Sequence, residues 1–231
     1  MTSIAANLQA VRARIAAACV AAGRAADAVA LLAVSKTWPA ASLREAAAAG
    51  QRAFGENYVQ EAVDKAAELK EFDLEWHFIG PLQSNKTRMV AENFAWVHSV
   101  DRLKIAERLA AQRPPDLPPL QLCLQVNVSG EASKSGCAPQ QAPDLAAAIC
   151  RLPGLRLRGL MAIPEPTADV RRQRSQFALL RRTLERINAE PGFTLDTLSM
   201  GMSDDLEAAI MESATIVRIG TAIFGRRETS K

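Results

Sequence analysis

Strand-like and helix-like stretches alternate along the whole sequence, and this alternation limits the possible folds more than any other feature. Short apolar runs such as "VALLAVS" (29–35) are each followed by a stretch with helical spacing of apolar residues. Repeated βα units predict a parallel sheet covered by helices. Eight units without a Gly/Ser-rich linker fit within the 231 residues. We therefore expect one α/β domain over 1–231, a closed (β/α)8 TIM barrel with an extra N-terminal helix.

The predicted elements cover most of the chain. Strands are predicted at 29–35, 52–57, 74–80, 95–100, 120–128, 155–163, within 195–203 and at 215–220. Helices are predicted at about 3–22, 42–50, 58–70, 84–93, 101–112 (with Asp101 as its cap), 139–151, 168–190 and 204–214. An open doubly wound sheet is the alternative architecture, but no GxGxxG motif follows the first strand.

Charge and cysteine usage exclude several classes of protein. The net charge is only +3, from 28 basic and 25 acidic residues, which does not favour a nucleic-acid or membrane surface. Four cysteines without CxxC spacing and two histidines do not suggest a zinc site. The N-terminus does not resemble a signal peptide, and no apolar run approaches the roughly 18 residues of a membrane helix. We expect a cytoplasmic protein without a metal.

The first strand ends on Lys36, just before a predicted turn at Trp38. By the alternation of side chains along a strand, Lys36 lies on the same side as Leu32 and Val34. If that side faces the barrel lumen, burial should lower the pKa of the lysine, and the neutral amine can attack an aldehyde. A lysine in solvent is the plainer alternative. The pattern does not decide between them, because both faces of such a strand are covered.

The loops after strands seven and eight are the usual phosphate site of such barrels. Here they read "SMGMSDD" and "RIGTAIFG". Gly201 and Gly220 would let backbone N–H groups approach an anion, and Ser203 and Thr221 could add hydroxyl donors. Alternatively, Ser203 is only a helix N-cap. The two aspartates that follow, Asp204 and Asp205, favour that alternative.

Three other polar residues stand at or near strand ends. Arg218 projects from an apolar strand, where its partner is either a carboxylate or a ligand's ring nitrogen or anion. His77, between Trp76 and Phe78, is more typical of a hydrogen-bonded core histidine than of a ligand contact. Asn57 either contacts a ligand or shapes the turn into the next helix.

Several distinctive segments extend through nearly the whole chain. They are "AVSKT" (33–37), "FGENYVQEA" (54–62), "WHFIGPLQSNK" (76–86), "QVNVSGEASKSG" (125–136), "GLMAI" (159–163), "LSMGMSDD" (198–205) and "VRIGTAIFG" (217–225). Taken in order, these segments resemble the pyridoxal phosphate homeostasis protein family, and their order makes the resemblance specific.

The resemblance implies a barrel of the alanine-racemase N-terminal-domain type (PLP fold type III) that binds pyridoxal 5′-phosphate (PLP). It implies a Schiff base on Lys36, and a phosphate held by Ser203 with the backbone of Gly220 and Thr221. Arg218 would face the pyridine nitrogen. Asn57 and Met161 would line the ring, and additional contacts are possible from His77, Gly201 and Met202.

The family's implied role is to hold PLP reversibly, buffering it or passing it to apo-enzymes, as a monomer without strong catalysis. The alternative is a PLP-dependent amino-acid racemase. Two-base racemization needs a second base, which alanine racemases supply as a tyrosine from a further domain. The only tyrosine of this sequence is Tyr58, which opens a helix just after the second strand. A third possibility is a Schiff-base aldolase without a cofactor.

Overall fold

A computed structural model describes residues 3–131 and 135–225. Its eight strands are all parallel to their neighbours and form a closed barrel in chain order, with the last strand paired to the first. The predicted barrel is therefore confirmed, and an open sheet is excluded. The strands are β1 (Ala30–Val34), β2 (Ala53–Glu56), β3 (Glu75–Phe78), β4 (Trp96–Val100), β5 (Leu120–Gln125), β6 (Leu155–Met161), β7 (Thr197–Ser199) and β8 (Ile216–Ile219).

Helices follow the strands and cover the outside of the barrel. They are α1 (Ile4–Ala21), α2 (Ala40–Ala48), α3 (Val59–Glu68), α4 (Thr87–Asn93), α5 (Leu103–Gln112), α6 (Ala142–Ile149), α7 (Val170–Asn188), α8 (Leu206–Met211) and α9 (Thr221–Phe224). The short helix α9 directly after β8 adds to the predicted set, and a 3₁₀ turn, Ser84–Lys86, precedes α4.

The extra N-terminal helix α1 lies against the barrel's outer layer. The side chain of Ser3 accepts a hydrogen bond from Ala6 N–H and so caps its first turn. In the described part of the chain, α1 alone has the length and apolar composition to cross a bilayer. Its buried stripe packs against α8 and α9, as expected for a core-facing helix. The stripe consists of Leu8, Val11, Ile15, Ala18 and Cys19.

Several predicted element boundaries differ from the structure by up to three residues, and two of these errors have a clear structural reason. Asp101 does not cap α5: the N-cap position is Arg102, and the Asp101 carboxylate instead accepts a hydrogen bond from the Arg102 guanidinium at 2.7 Å. The fifth strand ends at Gln125 rather than Val128. Beyond that point Val126 forms an isolated bridge with Cys137, so the chain leaves the barrel ladder early.

The barrel interior has its own side chains, separate from the main core between sheet and helices. Leu32, Ile79 and Ile216 form one small apolar cluster, and Trp96, Cys123 and Met161 form another. Alternating residues of the same strands, such as Ala33, Val97 and Val217, belong to the larger core outside. This alternation identifies the lumen face of each strand.

Candidate functional site

A cavity of about 250 Å³ opens at the carboxyl end of the barrel, near the lower limit for small-ligand sites. It is formed mainly by the ends of β1 and β8 and by the loop after β7. Its lining residues are Val34, Lys36, Trp38, Asn57, Ile79, Ile163, Met202, Ser203, Asp204, Arg218, Gly220, Thr221 and Gly225. Seven of the sequence-predicted site residues are thereby brought together: Lys36, Asn57, Met202, Ser203, Arg218, Gly220 and Thr221.

The structure decides the side on which Lys36 lies. Leu32 belongs to a lumen cluster and Val34 packs against it, while Val34 and Lys36 both line the cavity. The lysine is therefore on the lumen side of β1, at the mouth of the barrel. The next residue, Thr37, has a left-handed backbone with φ +67°, which is uncommon for a β-branched residue.

A buried ionic network lies behind this turn. Lys65 of α3 donates from Nζ to Glu56 Oε1 at 2.7 Å, to Glu61 Oε1 at 2.5 Å and to the carbonyl of Ser35 at 2.8 Å. Glu61 Oε1 also accepts from the backbone N–H of Thr37 at 2.5 Å. The network thus connects α3 and β2 to the residues on either side of Lys36.

Sequence reasoning missed this network. Lys65 and Glu61 are four residues apart on a helix, a spacing that is usually a solvent-exposed pair. Yet Lys65 is buried and the Glu56 side chain is wholly buried. Burial raises the pKa of Glu56, while hydrogen bonds from Lys65 and Ser35 oppose that shift. The buried Lys65 ammonium and the Glu56 and Glu61 carboxylates therefore compensate one another's charge.

Ser203 and Thr221 line the cavity with the backbone of Gly220. Helix α8 begins at Leu206 with Asp205 at its N-cap position, so Ser203 is not the N-cap. The Asp205 carboxylate accepts a hydrogen bond from Met202 N–H at 2.6 Å.

The two candidate glycines lie in different places. Gly220 lines the cavity, whereas Gly201 is not among the lining residues. Gly201 has φ +96°, and a Cβ there would lie 2.6 Å from the Cβ of Ala209. Its glycine is therefore explained by backbone conformation and close packing against α8.

Arg218 is buried at the floor of the cavity and makes three hydrogen bonds. Its Nη1 donates to the carbonyl (2.6 Å) and hydroxyl (2.8 Å) of Ser199, and its Nη2 donates to the carbonyl of Ala162 (2.8 Å). Burial lowers the pKa of Arg218 to about 10. Because a pKa of about 10 is still well above 7, the guanidinium remains a cation at neutral pH. Its acceptors are neutral oxygens rather than the carboxylate that the sequence analysis considered.

The remaining candidates divide between the cavity and the lumen beneath it. Asn57 lines the cavity, and its buried Oδ1 has no hydrogen-bond partner within the described residues. Met161 is fully buried beside Trp96 and Cys123 and is not a lining residue. The predicted contact of Met161 with the ring of a bound cofactor stays a prediction. His77 also lies in the lumen, with Nδ1 2.9 Å from His98 Nε2.

The lining groups have a definite chemistry. An amine stands on one side, hydroxyls and a glycine turn on another, and a guanidinium at the floor. The amide oxygen of Asn57 is nearby and has no hydrogen-bond partner among the residues that the structure describes. Such a set can bind a small molecule that carries a carbonyl and an anionic group. No cluster of three or more metal-ligating side chains occurs within residues 3–131 and 135–225.

Comparisons with known proteins place the chain among related sequences and structures. A family model described as alanine racemase, N-terminal domain, matches residues 3–228. A relative from Pseudomonas aeruginosa, named pyridoxal phosphate homeostasis protein, is 66% identical over 228 residues, covering 99% of this chain and 97% of the relative.

Solved structures agree with these matches. The structure of PipY of Synechococcus elongatus PCC7942 with PLP bound is 39% identical, with a TM-score of 0.84, covering 96% of this chain and 100% of that one. An alanine racemase from Corynebacterium glutamicum shares the fold at a TM-score of 0.68 and 16% identity. The match covers 97% of this chain but only 64% of the racemase.

Proposed function

Since the chain belongs to the pyridoxal phosphate homeostasis protein family, within the alanine racemase N-terminal domain fold, we propose that it holds PLP on Lys36 and buffers or delivers it. The observation that carries the proposal is the lining of a single cavity by Lys36, Ser203 and Thr221, with the Arg218 guanidinium at its floor. PLP has an aldehyde and a phosphate on one ring, and these groups match the amine and the hydroxyl-bearing turns.

The seven sequence-predicted residues that line the cavity each have a role in this proposal. Lys36 forms a Schiff base with the aldehyde, and the hydroxyls of Ser203 and Thr221 with the backbone of Gly220 hold the phosphate. The Asn57 amide and Met202 lie beside the ring. PLP, when bound, supplies a conjugated ring that can act as an electron sink.

Arg218 influences how strongly that ring can withdraw electrons. A guanidinium is a poor proton donor, so Arg218 facing the pyridine nitrogen leaves the nitrogen unprotonated. An unprotonated ring withdraws electrons less than one paired with a carboxylic acid. Arg218 therefore makes bound PLP a weaker electron sink, which is compatible with a protein that stores the cofactor.

We extend the proposal to the oligomeric state, the location and the partners of the protein. The whole chain acts as a single PLP-binding domain and a monomer in the cytoplasm, and PLP-dependent apo-enzymes are its recipients. The four cysteines support a reducing compartment, because all are free thiols and three of them are buried. Relatives of this name in several bacteria are as long as this chain, which supports the single domain.

The direct test is covalent trapping. We expect PLP added to the purified protein to produce a visible absorption band, and borohydride to fix about one cofactor per chain on a peptide that contains Lys36. Mass-spectrometric peptide mapping locates the adduct. A protein that gains no band on addition of PLP, or an adduct found mainly on exposed lysines such as Lys70, would refute the proposal.

Racemase activity is not expected. Racemization of a PLP-bound amino acid needs an acid–base group on each side of the α-carbon. Tyr58 stands at the N-cap of α3, is 58% exposed and is not a lining residue of the cavity. We therefore expect alanine to keep its α-proton when the PLP-loaded protein is incubated in deuterated water, as followed by proton NMR. Exchange at roughly 1 s⁻¹ or faster would contradict this expectation and reinstate the racemase alternative.

A further inference from the structure

A continuous chain of hydrogen bonds crosses the barrel lumen beneath the cavity. Arg218 Nη1 donates to Ser199 Oγ at 2.8 Å, and Ser199 Oγ lies 2.8 Å from His98 Nδ1. His98 Nε2 is 2.9 Å from His77 Nδ1, and His77 Nε2 is 2.7 Å from Glu75 Oε1. The contact between β4 and β7 joins strands that are not neighbours, so it passes through the lumen.

This chain of hydrogen bonds connects the two ends of the barrel. Arg218 lies at the cavity, whereas Glu75 is the first residue of β3, at the opposite mouth, where its side chain is 51% exposed. The three side chains between them are buried. A buried polar chain with each member hydrogen-bonded is stable, but a break leaves costly unsatisfied groups.

The two ends determine the direction of every bond in the chain. A guanidinium only donates hydrogen bonds, and an ionised carboxylate only accepts them. Ser199 Oγ accepts from Arg218 and therefore has its hydroxyl proton for His98 Nδ1. His98 is then protonated on Nε2 and donates to His77 Nδ1, and His77 is protonated on Nε2 and donates to Glu75.

Other arrangements of the protons on the two histidines are less favourable. In the reversed chain, the lone pair of His77 Nε2 would face the Glu75 carboxylate, and the hydroxyl proton of Ser199 would lose its acceptor. A protonated His77 would need to donate from both nitrogens. Burial opposes that form, because it lowers the pKa of both His77 and His98.

We propose that Glu75, His77, His98 and Ser199 are positioning residues for Arg218: a one-way hydrogen-bonded chain, with both histidines neutral and protonated on Nε2, that orients the guanidinium toward a cofactor's ring. The cofactor part of this inference rests on the proposed function. The carboxylate at the far mouth is therefore coupled to the floor of the cavity. His77 then acts on the site through other residues, although it does not line the cavity.

Nitrogen-15 NMR of the protein without cofactor tests the chain directly. The sequence contains only two histidines, so their imidazole signals are assigned by comparing the protein with a His77→Gln variant. At pH 7 we expect both rings to be neutral, with the proton on Nε2. In Glu75→Gln the amide can donate as well as accept, so we expect the Nδ1-protonated form to be populated in His77. An Nδ1-protonated or charged ring in the unmodified protein would overturn the proposal.

PLP titration tests the consequence at the cavity. In Ser199→Ala we expect the affinity for PLP to fall about five-fold, as for the loss of one buried hydrogen bond, and the absorption maximum of bound PLP to move. Glu75→Gln should move the maximum in the same direction by less. Glu207→Gln is the matched control, because its carboxylate is equally exposed (51%) but pairs with Arg14; it should change neither quantity.

The outcomes separate the two proposals. If the unmodified protein fails to bind PLP, the proposed function is wrong. The NMR result still decides whether the hydrogen bonds between Arg218 and Glu75 have the proposed direction. If PLP binds but Ser199→Ala and Glu75→Gln leave affinity and spectrum unchanged, the positioning role is wrong. An equal change in Glu207→Gln would also overturn it, because the effect would then reflect surface charge.

Discussion

Lys36→Ala is expected to abolish covalent capture of PLP while the barrel stays folded. The alanine variant lacks the amine that forms the Schiff base, so no adduct should survive borohydride treatment and the visible band should be lost. Lys36 lies in the turn that follows β1, at the cavity rather than in the packed core. Its removal should therefore change the free energy of unfolding by no more than about 1 kcal/mol.

The measurement is a PLP titration followed by absorbance, with urea unfolding of both proteins. Lys70→Ala is the control, because this exposed lysine follows α3 and lies outside the cavity lining. It should retain the full band and a single adduct. A Lys36→Ala variant that keeps the band would place the covalent site elsewhere, and one that unfolds would identify Lys36 as a structural residue.

Lys65→Met is expected to be strongly destabilising. Methionine keeps much of the side chain's volume but removes the ammonium group, and the fully buried Glu56 then loses its cation. Removing one partner of a buried ion pair typically costs about 3–5 kcal/mol, because the remaining charge is uncompensated. The turn at Thr37 should also loosen, since Lys65 shares Glu61 with the Thr37 N–H.

A double-mutant cycle separates the ion pair from simple packing. Adding Glu56→Gln to Lys65→Met removes the orphaned charge and should recover part of the lost stability. Urea denaturation of the single and double variants gives the coupling energy. Glu92→Gln, in the exposed Arg88–Glu92 pair, is the control and should change stability by less than about 0.5 kcal/mol. A loss below about 1 kcal/mol in Lys65→Met would show that the pair is not structurally important.

Much of the fold could be predicted from local sequence pattern. Periodicity indicates where strands and helices lie, and the strand of residues 29–35 and the helix of 3–22 were both placed within one or two residues. The cap predicted for the fifth helix failed because one side chain had two possible partners. Asp101 is a good capping residue type, but its carboxylate is bound by the neighbouring Arg102.

The sequence grouped seven of the residues that line the cavity, but it did not identify the buried residues that contact them. Strand ends of a parallel barrel meet at one mouth, so Lys36, Arg218 and Thr221 could be grouped without coordinates. The buried residues that contact this group could not be identified in the same way. Lys65 resembles a surface lysine on an amphipathic helix, and His98, Ser199 and Glu75 are far from Arg218 in the sequence.

The number and order of the βα units, and the amine, hydroxyls and guanidinium at strand ends, could be read from the sequence alone, which also favoured a closed barrel over an open sheet. These properties follow from local periodicity and from the geometry common to parallel barrels. The coordinates were needed to establish that Leu32 and Lys36 face the lumen, that Ser203 is not a helix cap, and that His77 is linked to Arg218. Local pattern is not sufficient for these points, because both faces of each strand are covered and contacts across the lumen join residues that are far apart in the sequence.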